Sequence, residues 1–232
     1  MQHTYMGNAM NSMAQHVGHR TTAFGQGRPV RPYELTRRTL DVSCASFGLL
    51  LVTPLLCVLV LLVRLDGGTS LFRHRRVGPD GRSFGCLKLR TMHVDADARL
   101  AACLVSDPLA RREWQARQKL SVDPRITPLG RVLRRTSLDE LPQLINVLRG
   151  EMSLIGPRPV PPDELARYGR GRSAYLACPP GITGLWQVSA RRGVSYRHRV
   201  AYDRFYAEHR GPALDALIAW RTVRVVLSGS GE

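Results

Sequence analysis

From Val42 to Val63 the chain carries no charge and is dominated by Leu and Val, whereas the sequence after it mixes polar and apolar positions at short intervals. The run is about as long as the ~20 residues that a helix needs to cross a bilayer. Thr53-Pro54 lies at its middle, where a proline removes a backbone donor and kinks or breaks a helix, and Gly67-Gly68 close the segment. Leu71 to Val77 and Phe84 to Leu89 flank the turn signal Gly78-Pro79-Asp80-Gly81 and predict a β-hairpin. Asp95 to Lys119 reads as helix, broken near Asp107-Pro108, and Thr127-Pro128 marks the next helix start, with threonine at the N-cap and proline at N1. Leu141, Leu144, Ile145 and Leu148 then recur at helical spacing up to the stop at Gly150. That pattern places Asp139 at the N-cap and Pro142 as the third helical residue, where its missing N–H is tolerated. A short helix is expected from Pro161 to Gly169, followed by an exposed basic loop, RGRS, and by a strand or extended segment from Ile182 to Val188. Tyr196 to His209 and Ala213 to Leu227 read as helices.

Residues 1 to about 30 are rich in Met, Gln, His, Gly and Thr without apolar periodicity and read as a disordered tail. They do not form a signal peptide, because the apolar run starts only at Val42. Both flanks of that run are basic, with Arg31, Arg37 and Arg38 before it and Arg64, Arg73, Arg75 and Arg76 after it. Basic residues mark the cytoplasmic side, so both ends are expected there. A re-entrant helix-break-helix, with the break at Thr53 and Pro54, follows; a kinked but spanning helix is the alternative, since proline is common in membrane helices. The expected fold is an α-dominated α+β chain. It comprises a tail over residues 1–30, a membrane anchor over 31–66, and a cytoplasmic catalytic domain with a small β-hairpin over 67–228.

With 232 residues and 44% hydrophobic content, the chain can build one large core and is neither disordered nor a many-spanning transporter. Its net charge of +16 requires an anionic partner, which could be nucleic acid, an acidic membrane surface or a phosphorylated substrate. Aromatics are only 6%, and no zinc-finger, RNA-recognition or basic-zipper pattern supports nucleic acid. The five cysteines are odd in number and irregularly spaced, without a CxxC pair, which argues against a disulfide framework. No Cys/His cluster suggests structural zinc.

The candidate chemistry lies between Arg131 and Pro159, RVLRRTSLDELPQLINVLRGEMSLIGPRP. Asp139 and Glu140 are adjacent acids set between Arg131, Arg134 and Arg135 upstream and Arg158, held between two prolines, downstream. Arginine forks suit phosphate oxygens, and a carboxylate can attack phosphorus only where cations offset the repulsion between two anions. The acids also admit a purely structural reading, since Ser137-x-x-Glu140 matches a capping box.

The run TPLGRVLRRTSLDELPQLINVLRGEMSLIGPRP from Thr127 to Pro159 resembles the signature of the bacterial sugar transferases, the monotopic polyprenyl-phosphate phosphoglycosyl transferases. The likeness extends to PGITGLWQVSAR from Pro180, to KLRTM from Lys88 and to RVGPDGRSF from Arg76, and covers roughly residues 36 to 227. Leu89 stands where the family usually has phenylalanine, and Thr69 where it often has proline; both departures touch packing more than chemistry. The resemblance implies transfer of a sugar phosphate, galactose or glucose, from a UDP-sugar to undecaprenyl phosphate at the cytoplasmic face of the bacterial inner membrane, with release of UMP. It implies Asp139 as nucleophile, Glu140 as its assistant, and Lys88, Arg134 and Arg158 as phosphate contacts. A Mg²⁺ held by Asp139 and Glu140 is expected to neutralise the diphosphate. Nothing in the sequence selects the sugar or the oligomeric state.

Overall fold

The computed structural model describes residues 31–189 and 195–227, so the expected tail lies outside the described residues. Helix α1 (Arg31–Leu65) carries the apolar run, and the rest of the chain is built against its two ends. Near the first end Ala45 is buried among Phe84, Cys86, Val147 and Met152. Arg37 donates to the carbonyl of Ile155 at 2.6 Å, and Asp41 accepts from the amide of Leu154 at 2.9 Å. Near the second end Leu59 and Val63 pack on Leu89 and Leu133. There Ser70 donates to Val60 O and Arg90 to Val63 O, each at 2.8 Å. Between these contacts Phe47, Leu51, Val58 and Leu61 face outward, as does Leu50 at 72% exposure.

The break expected at Thr53 and Pro54 does not divide the segment, because α1 runs through both residues as one helix. Proline deletes one hydrogen bond from a 35-residue ladder, and the turns on either side are held by the contacts just described. Thr53 turns its hydroxyl back onto Leu49 O at 2.6 Å, so it leaves no polar group facing the apolar surroundings.

The hairpin forms as expected, with β1 (Leu71–Val77) antiparallel to β2 (Ser83–Leu89) and Leu71 opposite Leu89. The break at Asp107 separates α2 (Ala96–Ser106) from α3 (Pro108–Arg117), since the Asp107 carboxylate accepts from the amides of Leu109 and Ala110 and caps the second helix. Helix α4 (Pro128–Thr136) starts at the Thr127 N-cap, and α5 (Gln143–Leu148) ends before Gly150, whose φ of +79° favours glycine. Arg38 of α1 donates to the last carbonyls of α5, Val147 O and Leu148 O, and so ties α1 to this helix.

β3 (Ser153–Ile155) pairs in parallel with β4 (Gly181–Thr183). The strand expected over 182–188 is therefore shorter, and α8 (Leu185–Ser189) takes up the remainder. The Gly156 amide closes the ladder on Thr183 O at 2.9 Å, leaving no further partner for an extended chain. The basic RGRS stretch is exposed at Arg170, Arg172 and Ser173, as expected, but it is helical rather than a loop. After α6 (Pro162–Leu165) a 3-10 segment runs from Ala166 to Gly171 into α7 (Arg172–Leu176). The buried Tyr175 of α7 fixes that path, because its hydroxyl donates to Val77 O and accepts from the Val160 amide. Helices α9 (Tyr196–His209) and α10 (Pro212–Leu227) close a core of Tyr202, Phe205, Tyr206, Leu214 and Ile218.

Candidate active site

Thr91, just beyond β2, fixes how α4 approaches the hairpin. Its carbonyl accepts from the Thr127 amide at 3.1 Å, and its hydroxyl accepts from Arg134 Nε at 2.8 Å. A Cβ on Gly130 would lie 2.1 Å from the same carbonyl, so only glycine lets the helix come this close. The chain leaves α4 through Ser137 in a left-handed conformation, φ 56°, and turns back in a 3-10 turn, Leu138–Glu140.

This turn corrects the expected capping. Asp139 is the middle of the 3-10 turn rather than an N-cap, the residue preceding α5 is Pro142, and Ser137 makes no side-chain cap. Closing α4 requires Ser137 to give its amide to Arg134 O and Leu133 O, and in that left-handed conformation it cannot also serve as a helix N-cap. The capping box is thus not formed, and Asp139 is 7% exposed rather than displayed at a helix end.

Lys88 from β2 meets both acids, with Nζ 2.6 Å from Glu140 Oε1 and 3.9 Å from Asp139 Oδ2. Arg158 reaches Glu140 at 3.8 Å. Arg134 makes no ion pair with the acids, because Thr91 holds its Nε, yet its charge still bears on Asp139. Arg131 and Arg135 are exposed. Of the residues singled out from the sequence, Asp139, Glu140, Lys88 and Arg158 therefore lie together, Arg134 stands behind them, and Thr53 and Pro54 belong to the anchor.

The two acids have opposite electrostatics. Burial raises the Asp139 pKa, the neighbouring Glu140 charge adds to it, and Lys88 and Arg134 offset this only in part. Burial also acts to raise Glu140, but Lys88, Arg158 and Arg76 together outweigh it and hold Glu140 below the ordinary carboxylate value. Glu140 is the fixed anion of the pair, and Asp139 is the more basic carboxylate.

A small recess opens beside Glu140, lined by Arg76, Lys88, Glu140, Gln143, Arg158 and Gln187. Arg76 was not singled out from the sequence, although strand register could have found it. It lies opposite Phe84 on β1, and the alternation of the hairpin puts it on the same face as Lys88. Its guanidinium donates to Pro159 O at 3.1 Å, beside Arg158. Asn146 was also missed; it is fully buried in α5, accepts from the Leu87 amide at 2.9 Å and donates to Gly85 O and Glu151 Oε2. It fixes the strand that carries Lys88.

Residues 32–229 match the family model described as bacterial sugar transferase. The chain is 47% identical over 205 residues to the exopolysaccharide production protein ExoY of Rhizobium meliloti, covering 88% of this chain and 91% of that protein. It is 45% identical over 201 residues to the undecaprenyl-phosphate galactose phosphotransferase of Salmonella typhimurium, covering 87% of this chain and 42% of that protein. It is 39% identical over 204 residues to the UDP-glucose:undecaprenyl-phosphate glucose-1-phosphate transferase of Caulobacter vibrioides, covering 84% and 71%. An uncharacterized sugar transferase of Haemophilus influenzae is likewise spanned over only 42% of its length. The match runs from the start of the anchor helix to beyond the last described residue and includes every element of the recess, and the chain belongs to the bacterial sugar transferase family.

Proposed function

We propose that the protein transfers a hexose 1-phosphate, galactose or glucose, from a UDP-sugar to undecaprenyl phosphate as a membrane step of exopolysaccharide synthesis. The observation that carries this reading is the buried acid pair set against Lys88, Arg158, Arg76 and Arg134. The substrates named for the Salmonella and Caulobacter relatives support the chemistry.

Asp139 Oδ attacks the phosphorus that bears the sugar, the bond to the bridging oxygen breaks, and UMP leaves with that oxygen. An aspartyl-phosphosugar remains. An oxygen of the prenyl phosphate then attacks the same phosphorus, expelling the Asp139 carboxylate and giving prenyl-diphosphate-sugar. The raised proton affinity of Asp139 makes it the better nucleophile of the two acids. Glu140 stays ionised and holds Lys88 and Arg158 where the phosphate oxygens arrive. Two adjacent carboxylates suffice for Mg²⁺ when water and substrate phosphates complete its shell, so Asp139 and Glu140 fit as its protein ligands. When bound there, the ion supplies neutralising charge to the diphosphate.

Incubation with a sugar-radiolabelled UDP-hexose, without prenyl phosphate, should leave label on the wild-type protein and none on Asp139→Asn. Label on the Asn variant, or turnover by it, would remove Asp139 as nucleophile.

The anchor is read as re-entrant, leaving the site at the cytoplasmic face of the membrane, on an anionic surface suited to the basic chain. β2 clusters with α1 at two places, Phe84 and Cys86 with Ala45 and Leu89 with Val63, so the body of the protein lies along one side of the helix. Cysteines introduced at Leu35 and Val105, both exposed, should be protected together from an impermeant label applied outside intact cells. Labelling of one alone would establish a span.

A further inference from the structure

Gln143 is 2% exposed and follows Glu140 by three residues, and its side chain lines the recess beside Lys88 and Arg158. Its amide has no hydrogen-bond partner among the described residues, yet neither polar atom is sealed inside the protein. What little of that amide is accessible therefore opens into the recess. Gln187 lines the same recess and donates Nε2 to Ile182 O at 2.9 Å. That bond fixes the amide's orientation, since the reverse would set two carbonyl oxygens together. Gln187 Oε1 is buried without a partner.

Buried polar groups are almost always paired, so unpartnered amides beside reactive carboxylates point to a ligand that completes them. The ligand group cannot be phosphate alone. Phosphate oxygens only accept hydrogen bonds, so a phosphate would leave the buried acceptor Gln187 Oε1 without a partner. A hydroxyl both donates and accepts, and so does the imide edge of uracil. Glu140, the neighbour of Asp139, lines this recess, and in the reaction proposed above the hexose is bonded directly to the phosphate that Asp139 attacks, whereas uracil is separated from it by the ribose and the second phosphate.

We infer that Gln143 is a specificity-determining residue that hydrogen-bonds a hydroxyl of the transferred hexose, with Gln187 Oε1 as a neighbouring acceptor. The assignment rests on the transfer reaction proposed above. Lys88, Arg76 and Arg158 serve the charged part of the donor, and the neutral amides serve the sugar.

Gln143→Met keeps the length of the side chain and removes both polar atoms, while Gln143→Glu keeps acceptors and removes the N–H. UMP release is measured in nanodiscs with UDP-galactose, UDP-glucose and their monodeoxy analogues, together with inhibition by UMP and the melting temperature. Losing a buried hydrogen bond of this kind should lower kcat/KM of the Met variant roughly 5- to 100-fold with fully hydroxylated donors. For one deoxy analogue the wild-type penalty for the missing hydroxyl should vanish in that variant. Inhibition by UMP should stay unchanged, and melting should stay the same or rise, because no protein partner is left unpaired. Gln143→Glu should rank between the two.

Unaltered kcat/KM, or wild-type penalties retained for every deoxy donor, would overturn the assignment. Weakened UMP inhibition would move the contact to the nucleotide and overturn it as well. A Met variant that melts early or does not fold would make Gln143 structural. Wild-type protein that releases UMP from no UDP-hexose would remove the underlying reaction, and this assignment with it.

Discussion

Replacing Asn146 tests how the fold holds Lys88 at the acids. Its side chain is fully buried and satisfies three groups at once: the Leu87 amide, Gly85 O and Glu151 Oε2, at 2.9, 2.9 and 2.6 Å. Asn146→Leu fills nearly the same volume and leaves all three without their partner. The Leu87 amide lies beside a side chain that is only 3% exposed, so it bears the full desolvation penalty of about 1–3 kcal/mol. Gly85 O and Glu151 are only partly buried and can recruit water, adding roughly 1 kcal/mol together. A loss of about 2–4 kcal/mol corresponds to a drop of roughly 5–15 °C in melting temperature for a chain of this size. Lys88 follows Leu87 directly, so turnover should fall as well, with a larger effect on kcat than on nucleotide binding. Asn146→Asp keeps the acceptor for Leu87 but loses the donor to Gly85 O and sets a second carboxylate against Glu151, so adding Glu151→Gln should restore part of both stability and turnover. Thermal melting in nanodiscs and UMP release read both effects. A decrease below about 1 kcal/mol for Asn146→Leu, or no rescue in the double variant, would refute the reasoning.

Arg134→Lys should lose both donor affinity and turnover although charge is kept, because a lysine cannot hold Thr91 Oγ1 through one nitrogen and offer a fork with the others. Kinetics near wild type would remove Arg134 from the site. Asp203→Asn should change the pH dependence of stability. Burial pushes Asp203 up to about 6 from the ordinary 3.8, so between those values the folded protein holds a proton that the unfolded chain releases. Stability from this group is complete below about pH 4 and is lost as pH rises through about 6, a difference of roughly 3 kcal/mol. The Asn variant, which still offers Tyr168 an acceptor, should gain on wild type as pH rises from 4 to 7. Parallel melting curves across that range would refute it.

Most elements were legible because each rests on local chemistry. The Thr127 cap, the proline at 128, the turn at Pro79–Gly81 and the helix pair divided at Asp107 all depend on residues within a few positions of one another. The errors fall where tertiary contacts decide. Asp139 looked like an N-cap because acid, proline and helical spacing follow one another, but the left-handed Ser137 and the cation of Lys88, 51 positions away along the chain, turn it inward. Thr53-Pro54 looked like a break because its local cost is real, yet contacts at both ends of α1 keep one helix. RGRS looked like loop because its charges conceal Tyr175, whose bonds to β1 and to Val160 only the fold supplies. In the site itself, charged residues were legible as a pattern of acids among arginines. Arg76, Asn146, Gln143 and Gln187 were not, since a lone arginine on a strand and amides in helices are ordinary until register and packing bring them to one recess.

The resting electrostatics explain why such a site can hold a reactive acid pair without collapsing on itself. Four cations bear on the two acids: Lys88, Arg76 and Arg158 on Glu140, and Lys88 and Arg134 on Asp139. Two carboxylates cannot neutralise four cations, so two positive charges are left over. A recess with low-dielectric walls concentrates that excess, which attracts the anionic donor of the transfer proposed above. Lys88 sits hard against Glu140 and at longer range from Asp139, so Asp139 keeps a looser counter-ion than its neighbour. In the transfer proposed above, an arriving phosphate shares Lys88 and Arg158 without stripping Glu140 of either, and Asp139 would meet phosphorus with its own charge only partly offset. Were Lys88 paired equally with both acids, Asp139 would be more acidic and a poorer nucleophile. The unequal pairing follows from the 3-10 turn, which presents the two adjacent acids to one lysine at different depths, and that turn in turn depends on the left-handed Ser137 closing α4.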